Sequence, residues 1–169
     1  MGVLVPKGPG RLLVFVGKMV NIGVISDTHG LLRPEAISAL RDSHYILHAG
    51  DIGSPGILAE LERIAPVSAI RGNVDVEPWA KSIPAARTIE LCGQKFYLVH
   101  NRAELKRVPK DIAAVIFGHS HQPLIEVQNE VLYFNPGSAG PRRFKLPVSV
   151  GRICIRDGKL SPELIPLLP

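Results

Sequence analysis

Short apolar runs alternate with polar, glycine-rich turns along most of the chain. The runs are rich in β-branched side chains and end at glycine, proline or polar residues, which is typical of buried strands. Five of these runs end next to side chains that could carry chemistry, and they span Ile22–Ser26, Tyr45–Ala49, Val67–Ile70, Phe96–Val99 and Ala113–Phe117. The pattern therefore predicts five buried strands with polar residues at their carboxyl ends.

Two segments between the early strands have the periodicity of helices instead. Arg33–Arg41 has Pro34 in a first helical turn, and Ser54–Ile64 begins with a serine suited to capping and continues with an apolar stripe. Strands and helices thus alternate through the first half of the chain, which favours a mostly parallel sheet.

The second half of the chain is richer in strands and in hairpin turns. Thr88–Leu91, a Gly93-Gln94 turn and Lys95–Val99 have the pattern of a hairpin. The further predicted strands are Leu124–Val127, Val131–Phe134 and Val148–Ile155, the last followed by an Asp157-Gly158 turn. No internal repeat or linker interrupts the pattern. The sequence therefore predicts an α/β fold, a two-sheet α/β sandwich with helices on the outside.

The length and composition of the chain fit a single domain with an ordinary core. It has 169 residues, of which 46% are hydrophobic and 21% are charged. Three of its five excess positive charges, Lys7, Arg11 and Lys18, lie before a second methionine, Met19. We therefore expect residues 1–18 to be an optional N-terminal extension and residues 19–169 to form the domain.

Composition also limits the cellular compartment and the binding partners that we expect for this protein. The two cysteines, Cys92 and Cys154, are too few for a disulfide scaffold and are interpreted as small buried residues, with a bridge between them as the less favoured alternative. No apolar stretch approaches the length of a membrane span and no secretory signal pattern is present, so we expect a cytoplasmic protein. The sequence contains no dedicated nucleic-acid module. It leaves open whether the chain forms a homo-oligomer.

Polar side chains of the metal-ligand type gather at the ends of the five predicted strands. In open α/β sheets the carboxyl ends of the strands are where ligands bind, so five loops can converge on one pocket. The candidate ligands are Asp27, His29, Asp51, Asn73, His100, His119 and His121. Each motif alone is a weak signal, but their joint occurrence in this order indicates a site.

These residue types and spacings suit divalent metal ions. Asp27 and His29 are two residues apart, as are His119 and His121, so each pair presents its side chains to the same side of an extended segment. Asp51 can bridge two ions through its two carboxylate oxygens. Imidazole nitrogens mixed with carboxylate and amide oxygens, without thiolates, favour Mn, Fe, Zn, Ni or Co over Mg or Ca.

Together the motifs resemble the signature of the calcineurin-like metallophosphoesterases. The resemblance extends over roughly residues 21–151. Its motifs are, in chain order, Asp27-x-His29, Gly50-Asp51, Gly72-Asn73-x-Asp75, His100 and Gly118-His119-x-His121. The opening segment Gly23–Gly30 and the later Asn135-Pro136-Gly137-Ser138 are similar to the compact bacterial and archaeal phosphodiesterase branch of that superfamily.

The resemblance implies a two-metal phosphoesterase. One ion would be held by Asp27, His29, Asp51 and His121, and the other by Asp51, Asn73, His100 and His119. Mn²⁺ is the first choice, with Ni, Fe, Zn or Co as alternatives. Asp51, Asn73 and His100 would have catalytic roles, and a hydroxide bridging the two ions would attack a phosphodiester substrate.

Two positions differ from the superfamily pattern. A histidine that assists the leaving group commonly follows the asparagine, and here Val74 stands in its place and cannot donate a proton. The residue after His100 is often glycine, and here Asn101-Arg102 follows, which would place a donor and a cation near the metal rim. Asp75 matches the pattern and would orient the preceding loop, or simply form a turn.

Two alternative functions are compatible with the sequence. The retromer subunit that shares this fold binds partner proteins and also lacks the histidine, so a non-catalytic metal-binding scaffold is the first alternative. A nuclease is the second, although the chain has no extra binding domain and no strongly basic surface. The intact ligand set favours the enzyme, because a scaffold has no need for seven ligands.

Other polar residues have structural interpretations beside functional ones. His48 is expected to be a buried, hydrogen-bonded histidine rather than a ligand. Asn135–Ser138 is expected to form a rigid turn or to support a ligand histidine through hydrogen bonds. Arg142 and Arg143 are interpreted as solvated cations, with substrate steering as the alternative.

Overall fold

The structure, a computed structural model, describes residues 17–169. The predicted N-terminal extension, residues 1–18, therefore lies outside the described residues except at its last two positions. In chain order the described residues form β1 (Val20–Ile25), α1 (Pro34–Leu40), β2 (Tyr45–His48), α2 (Pro55–Glu62), β3 (Val67–Ala69), β4 (Ala86–Leu91), β5 (Gln94–Val99), β6 (Ile112–Ile116), β7 (Leu124–Gln128), β8 (Val131–Asn135), β9 (Ser149–Arg156) and β10 (Lys159–Pro166). Short 3₁₀ turns occur at Pro78–Ser82 and Arg102–Glu104.

The strands form two mixed, five-stranded sheets that pack against each other. The first sheet has the order β10-β9-β1-β2-β3, and the second has the order β4-β5-β6-β8-β7. β1, β2 and β3 run parallel to one another, as do β5, β6 and β8. The remaining strands, β4, β7, β9 and β10, are antiparallel to their neighbours. The predicted two-sheet α/β sandwich, with a parallel arrangement in the first half, is confirmed.

Apolar side chains between the two sheets form the main core. Its fully buried members come from both sheets and include Ile22, Phe96 and Phe134. A second cluster, which contains Leu61, packs α1 and α2 on the other face of the first sheet. The helices therefore lie on the outside, as predicted, but within residues 17–169 they cover the first sheet only. Side chains such as Leu105, from the segment after β5, cover the second sheet.

Both helices form close to their predicted bounds. α2 starts after Ser54, whose hydroxyl accepts a hydrogen bond from the Gly56 amide at 3.3 Å, and both helices carry proline in the first turn. Within the described part of the chain, no helix is long and apolar enough to cross a membrane.

The first hairpin turn comes one residue earlier than predicted. Leu91 pairs with Gln94, so Cys92 and Gly93 form the turn rather than Gly93 and Gln94. Their φ angles, +51° and +74°, are both positive, as a two-residue type I′ turn requires. A cysteine rarely adopts this conformation, which is why the sequence pattern favoured the next position. Cys92 and Cys154 are both free thiols, so the less favoured disulfide is not formed.

Candidate metal centre

The structure brings the seven predicted ligands to one edge of the sandwich. They lie in the loops that leave the carboxyl ends of five strands. Because the strands of each parallel group point the same way, these loops lie close together. The ligands are Asp27 and His29 after β1, Asp51 after β2, Asn73 after β3, His100 after β5, and His119 and His121 after β6.

Asp27, His29 and His121 form a first cluster of ligand atoms. His121 Nε2 lies 3.3 Å from Asp27 Oδ1 and 3.3 Å from His29 Nε2. His29 Nε2 is 3.9 Å from Asp27 Oδ1. Ligand atoms from the first and the second sheet thus face one point, with a spacing that could hold a metal ion.

A second cluster lies beside the first and contains Asp51 and His100, with Asn73 and His119 at its exposed side. His100 Nε2 is 3.2 Å from Asp51 Oδ2, and His119 Nδ1 is 3.2 Å from Asn73 Oδ1. The rings of His100 and His119 meet edge to face, with centroids 5.3 Å apart. These four side chains also converge from both sheets.

Two carboxylates connect the clusters. Asp51 Oδ2 is 3.7 Å from His29 Nε2 as well as 3.2 Å from His100 Nε2. Asp27 Oδ1 is 4.0 Å from His100 Nε2, in addition to its contacts in the first cluster. Both carboxylates lie between the two clusters, whereas the sequence-based hypothesis gave a bridging position to Asp51 alone.

Several ligand atoms in the centre are buried without a hydrogen-bond partner. Among residues 17–169, four buried side-chain polar atoms lack a partner, and three of them belong to candidate ligands: Asp27 Oδ1, His100 Nε2 and His121 Nδ1. A buried polar atom without a partner costs about 1–3 kcal/mol, so such atoms normally have one. A divalent cation between the clusters would provide a partner for Asp27 Oδ1 and His100 Nε2. The donor set therefore fits a metal ion.

The backbone at five of the ligands has an unusual conformation. Asp27, His29, Asp51, His119 and His121 have φ angles between +46° and +69°. Residues other than glycine adopt this left-handed region rarely, and such residues cluster at functional sites. The paired ligands are thus presented by tight turns, and the extended segments expected from their spacing are not formed.

A buried hydrogen-bond bridge joins the loops after β1 and β2. Thr28 Oγ1 donates to the Ile52 carbonyl at 2.9 Å, so it accepts from His48 Nε2 at 3.0 Å. The Gly50 amide donates to His48 Nδ1 at 3.2 Å, which assigns the neutral Nε2–H tautomer to this ring. Burial lowers the pKa of His48 to about 4, in keeping with a neutral ring. His48 is therefore a buried, hydrogen-bonded residue, as expected, and it connects two ligand loops.

Asp75 ties together the loops after β2 and β3. Its buried carboxylate accepts hydrogen bonds from the amides of Ile52, Gly53 and Gly72 at 3.0, 2.9 and 2.8 Å. Of the two roles expected for Asp75, orientation of the loop that carries Asn73 is the one that these contacts support.

The turn after β8 supports two ligand loops. Asn135 Nδ2 donates to the Gly118 carbonyl and to Ser120 Oγ, both at 3.1 Å. Ser138 Oγ donates to the Asp27 carbonyl at 3.0 Å. The turn therefore holds the backbone around the ligands, and the alternative, a hydrogen bond to a ligand imidazole, is not observed.

Ser26 and Thr28 were not among the residues predicted from the sequence to support the centre. Ser26 Oγ donates to Asp27 Oδ2 at 2.6 Å, and the His119 amide donates to the same oxygen at 3.2 Å. These bonds leave Asp27 Oδ1 turned toward the other ligands. The sequence feature that could have identified these supporting residues is the pair of small hydroxyl side chains, Ser26 and Thr28, that flank Asp27 at the end of an apolar strand.

His100 and Asp51 are electrostatically coupled. His100 Nδ1 donates to the Ala49 carbonyl at 2.7 Å, which directs Nε2 at the centre. Burial alone would lower the pKa of His100, but the Asp51 carboxylate and the Ala49 carbonyl raise it. Burial alone would raise the pKa of Asp51, but the His100 ring and the Val74 amide lower it. Asp51 is therefore held as a carboxylate, the form that binds a cation.

Val74 and Arg102, two positions singled out in the sequence, each contact a carboxylate. The Val74 amide donates to Asp51 Oδ1 at 3.2 Å, and the Val74 side chain is 44% exposed. The Arg102 guanidinium pairs with Glu126 at 2.9 Å and stacks 4.3 Å over the Tyr133 ring. Arg102, which was expected to place a cation near the metal rim, is therefore paired with a carboxylate and stacked on an aromatic ring of the second sheet.

The chain is similar to known phosphoesterases over most of its length. The calcineurin-like phosphoesterase superfamily domain matches residues 20–158. A Methanothermobacter thermautotrophicus protein named "Probable metallophosphoesterase" is 39% identical over 158 residues, which cover 85% of this chain and 91% of that protein. A Methanocaldococcus jannaschii protein named a phosphodiesterase is 30% identical over 138 residues, which cover 70% of this chain and 83% of that protein.

Solved structures have the same fold. A structure described as a novel archaeal phosphodiesterase superposes with a TM-score of 0.73 at 27% identity, covering 88% of this chain and 100% of that one. Vacuolar Protein Sorting 29 from Cryptosporidium parvum superposes with a TM-score of 0.69 at 19% identity, covering 88% and 97%, and at that identity the likeness concerns the fold alone. This chain therefore belongs to the calcineurin-like phosphoesterase superfamily and is a hydrolase of that family.

Proposed function

We propose that this chain hydrolyses phosphodiesters with two divalent metal ions. One ion would be held by Asp27, His29, Asp51 and His121, and the other by Asp51, Asn73, His100 and His119. The observation that carries the proposal is the pair of buried, unpartnered atoms Asp27 Oδ1 and His100 Nε2, which lie 4.0 Å apart among other nitrogen and oxygen ligands. The two ions would satisfy both atoms, Asp27 Oδ1 in the first position and His100 Nε2 in the second.

The residues of the chain fix the geometry for the reaction. When bound, two such ions make hydroxide available at neutral pH and neutralise negative charge on a phosphate group. Asp51 lies between the two clusters, the Ala49 carbonyl aims His100, and Asn73 adds a neutral oxygen at the exposed side. We assign catalytic roles to Asp51, Asn73 and His100.

Phosphodiesters with good leaving groups are the substrate class that fits this chain. Val74 offers a backbone amide and an apolar side chain at the position where a proton donor would assist the leaving group. Such assistance contributes typically 10²–10⁴-fold, so its absence favours esters whose leaving group departs as a stable anion. The name of the Methanocaldococcus jannaschii relative, phosphodiesterase, agrees with this class.

The metal, the compartment and the domain bounds complete the proposal. Mn²⁺ is the preferred ion, with Ni, Fe, Zn or Co as alternatives, and the mixed nitrogen and oxygen ligand set favours these ions over Mg or Ca. The two free cysteines suit a reducing, cytoplasmic compartment. Residues 19–169 would form the catalytic domain, and residues 1–18 would be dispensable.

Hydrolysis of bis-p-nitrophenyl phosphate with added Mn²⁺ tests the proposal. We expect turnover by the wild-type chain, and loss of turnover and of metal at both positions in Asp51→Ala. His29→Ala should mainly weaken one metal position. Asp42→Ala removes an exposed carboxylate outside the centre, so this matched control should keep full turnover. Two ions still bound to the Asp51 variant would contradict the shared role of Asp51.

A metal-binding scaffold without catalysis is the alternative that Val74 favours. Such a protein would hold metal and bind a partner protein without any turnover. Wild-type protein that binds two ions, yet hydrolyses neither aryl nor alkyl diesters, would support the scaffold and contradict the enzyme.

A further inference from the structure

The loop between β8 and β9, residues 139–148, begins directly on the metal centre. The Ala139 amide donates to the Ser26 carbonyl at 3.0 Å, and the Gly140 amide donates to the Asp27 carbonyl at 3.2 Å. A side chain at position 140 would collide with the Thr28 carbonyl, so this contact is close. The loop is therefore anchored on the backbone that carries a candidate ligand.

The two ends of this loop are held together, and its tip is exposed. The Ser149 amide donates to the Ser138 carbonyl at 3.0 Å, so the loop closes on itself. Compact surface loops with adjoining ends are frequently functional. The tip, residues 141–145, is exposed throughout and has the sequence Pro-Arg-Arg-Phe-Lys. These five residues are named the basic tip below.

Three side chains of the basic tip have no partner in the described part of the chain. Arg142 donates to the Pro169 carbonyl at 2.9 Å, whereas Arg143 and Lys145 form no ion pair or side-chain hydrogen bond with any residue from 17 to 169. Phe144 is 93% exposed, more than any other large hydrophobic residue that the structure describes. Its φ angle, +52°, is left-handed, so the loop presents this ring at a conformational cost.

The basic tip lies within reach of a substrate at the metal centre. Four residues of extended chain span at most about 14 Å, which limits the distance from Gly140 to Phe144. Arg143 is three residues from Gly140, so it lies at most about 11 Å from the backbone that contacts the Asp27 carbonyl.

We propose that Arg143 and Phe144 recognise a nucleotide, with Arg143 binding an oxygen of its phosphate and Phe144 stacking on its base. The inference rests on the proposed function and deepens it, because it assigns nucleotide-containing phosphodiesters as the substrate class. A guanidinium matches the oxygens of a phosphate, and an exposed aromatic ring stacks on a base whatever its identity. An alkyl diester would contact the Arg143 guanidinium but would leave the Phe144 ring without a binding role.

Calorimetric binding of adenosine 5′-monophosphate and of ribose 5-phosphate to the Mn²⁺-loaded protein, at fixed ionic strength, tests the inference. The two ligands share the phosphate and the sugar and differ in the base. We expect the adenosine compound to bind roughly tenfold more tightly, which is within the effect of stacking one base on an aromatic ring. Phe144→Leu should abolish that ratio, and Phe144→Tyr should keep it.

The contribution of the Arg143 guanidinium to binding is measured with the same two ligands. Arg143→Gln should weaken both by a similar factor, about three- to tenfold, because it removes a contact to the shared phosphate. Arg63→Gln removes an exposed arginine at the end of α2, where its ion pair within residues 17–169 is with Glu60, and this matched control should change neither affinity.

Equal affinity of the wild-type chain for both ligands, or a ratio that survives Phe144→Leu, would overturn the inference. Turnover of bis-p-nitrophenyl phosphate is measured on the same preparations. Turnover without a base-dependent ratio would overturn the nucleotide site and leave the proposed hydrolysis intact. A base-dependent ratio that Phe144→Leu abolishes, without turnover by the wild-type chain, would support the nucleotide site and contradict the hydrolysis.

Discussion

At the scale of single residues, the centre contains side chains that are fixed on one side and open on the other. Ser26 and the His119 amide hold Asp27 Oδ2, while Asp27 Oδ1 is buried without a partner. His100 repeats the arrangement, since Nδ1 donates to the Ala49 carbonyl and Nε2 makes no hydrogen bond. These ligand atoms are aimed before a cation binds, which reduces the ordering that binding requires.

His48 makes the stability of the fold sensitive to acid. Its pKa is about 4 in the folded chain, because burial disfavours the charged ring, and about 6.5 in an unfolded chain. Between these values the unfolded chain binds a proton that the folded chain does not. The contribution of His48 to the free energy of unfolding is therefore fully present above pH 6.5 and falls by roughly 3 kcal/mol as the pH decreases to 4.

Urea unfolding of the wild-type chain and of His48→Gln, with a chelator present, checks this pH dependence. Glutamine keeps an amide donor for Thr28 but does not titrate. Both proteins share every other titrating group, so we expect the wild-type chain to lose about 1 kcal/mol more per pH unit than the variant between pH 6 and 4.5. If the wild-type chain and the variant lost the same stability per pH unit, the folded chain would bind a proton at His48 as readily as the unfolded chain does. The prediction would then be wrong.

Val74 allows a test of the missing proton donor. Val74→His would place an imidazole next to Asn73, at the exposed side of the second cluster. An imidazolium there could protonate a departing alkoxide, whereas p-nitrophenolate leaves without help. We expect a gain on alkyl phosphates relative to aryl diesters, at most the 10²–10⁴-fold typical of general acids and smaller without supporting contacts.

The measurement is the ratio of alkyl to aryl hydrolysis rates with both metal positions saturated. Saturation separates altered chemistry from altered metal affinity. A ratio that stays the same in the variant, with both ions bound, would rule out a missing proton donor as the meaning of position 74.

At the scale of elements, the strands position the ligands and the turns after them set their direction. The order of the strands and helices could be predicted, because each apolar run is short and each turn is marked by glycine or by polar residues. The left-handed turns could not be predicted from local sequence. They are accompanied by hydrogen bonds between loops that are distant in the chain, such as the bond from the His29 amide to the Asp51 carbonyl at 3.0 Å.

Gly118 shows how closely these elements pack against the ligands. A Cβ at this position would collide with Ser26 Oγ and lie 2.5 Å from Asp27 Oδ2. Gly118→Ala should therefore displace Asp27, lower the affinity for Mn²⁺ at least tenfold and cost about 1–3 kcal/mol of stability. Metal titration calorimetry and thermal unfolding measure the two effects.

Gly56→Ala is the matched control for this substitution. A Cβ at Gly56, in the first turn of α2, would have Ser54 Oγ as its nearest neighbour at 3.6 Å. We expect unchanged metal affinity and a gain of up to about 1 kcal/mol in stability, because alanine is the better helix former. If Gly118→Ala also left the metal affinity unchanged, the close approach of position 118 to Asp27 would not be needed for metal binding.

At the scale of the whole molecule, the centre depends on both sheets. Asp27 and Asp51 follow strands of the first sheet, and His100 and His121 follow strands of the second. The two-sheet sandwich and the order of the ligands could be predicted from the sequence. β10 was not predicted as a strand, because it contains prolines such as Pro162, which a strand tolerates only at the edge of a sheet.

Deletion of residues 1–18 tests the bounds of the domain. Because every candidate ligand lies between Asp27 and His121, we expect unchanged metal content and turnover, and a melting temperature within about 2 °C of the full chain. Deletion of residues 159–169 is the contrasting control, since it removes β10 from the first sheet and should destabilise the fold. A large loss of thermal stability on deletion of residues 1–18 would assign that segment to the fold.

The left-handed backbone at five of the ligands also restricts how such a site can change over generations. Aspartate, asparagine and histidine are metal ligands and are also the residues that, after glycine, tolerate this conformation best. Glutamate and cysteine bind metals too, but the backbone disfavours them before coordination is considered. Glycine is the replacement that keeps this backbone conformation and loses a ligand. A lineage that abandons catalysis can therefore keep the shape of this edge and use it as a surface for another partner.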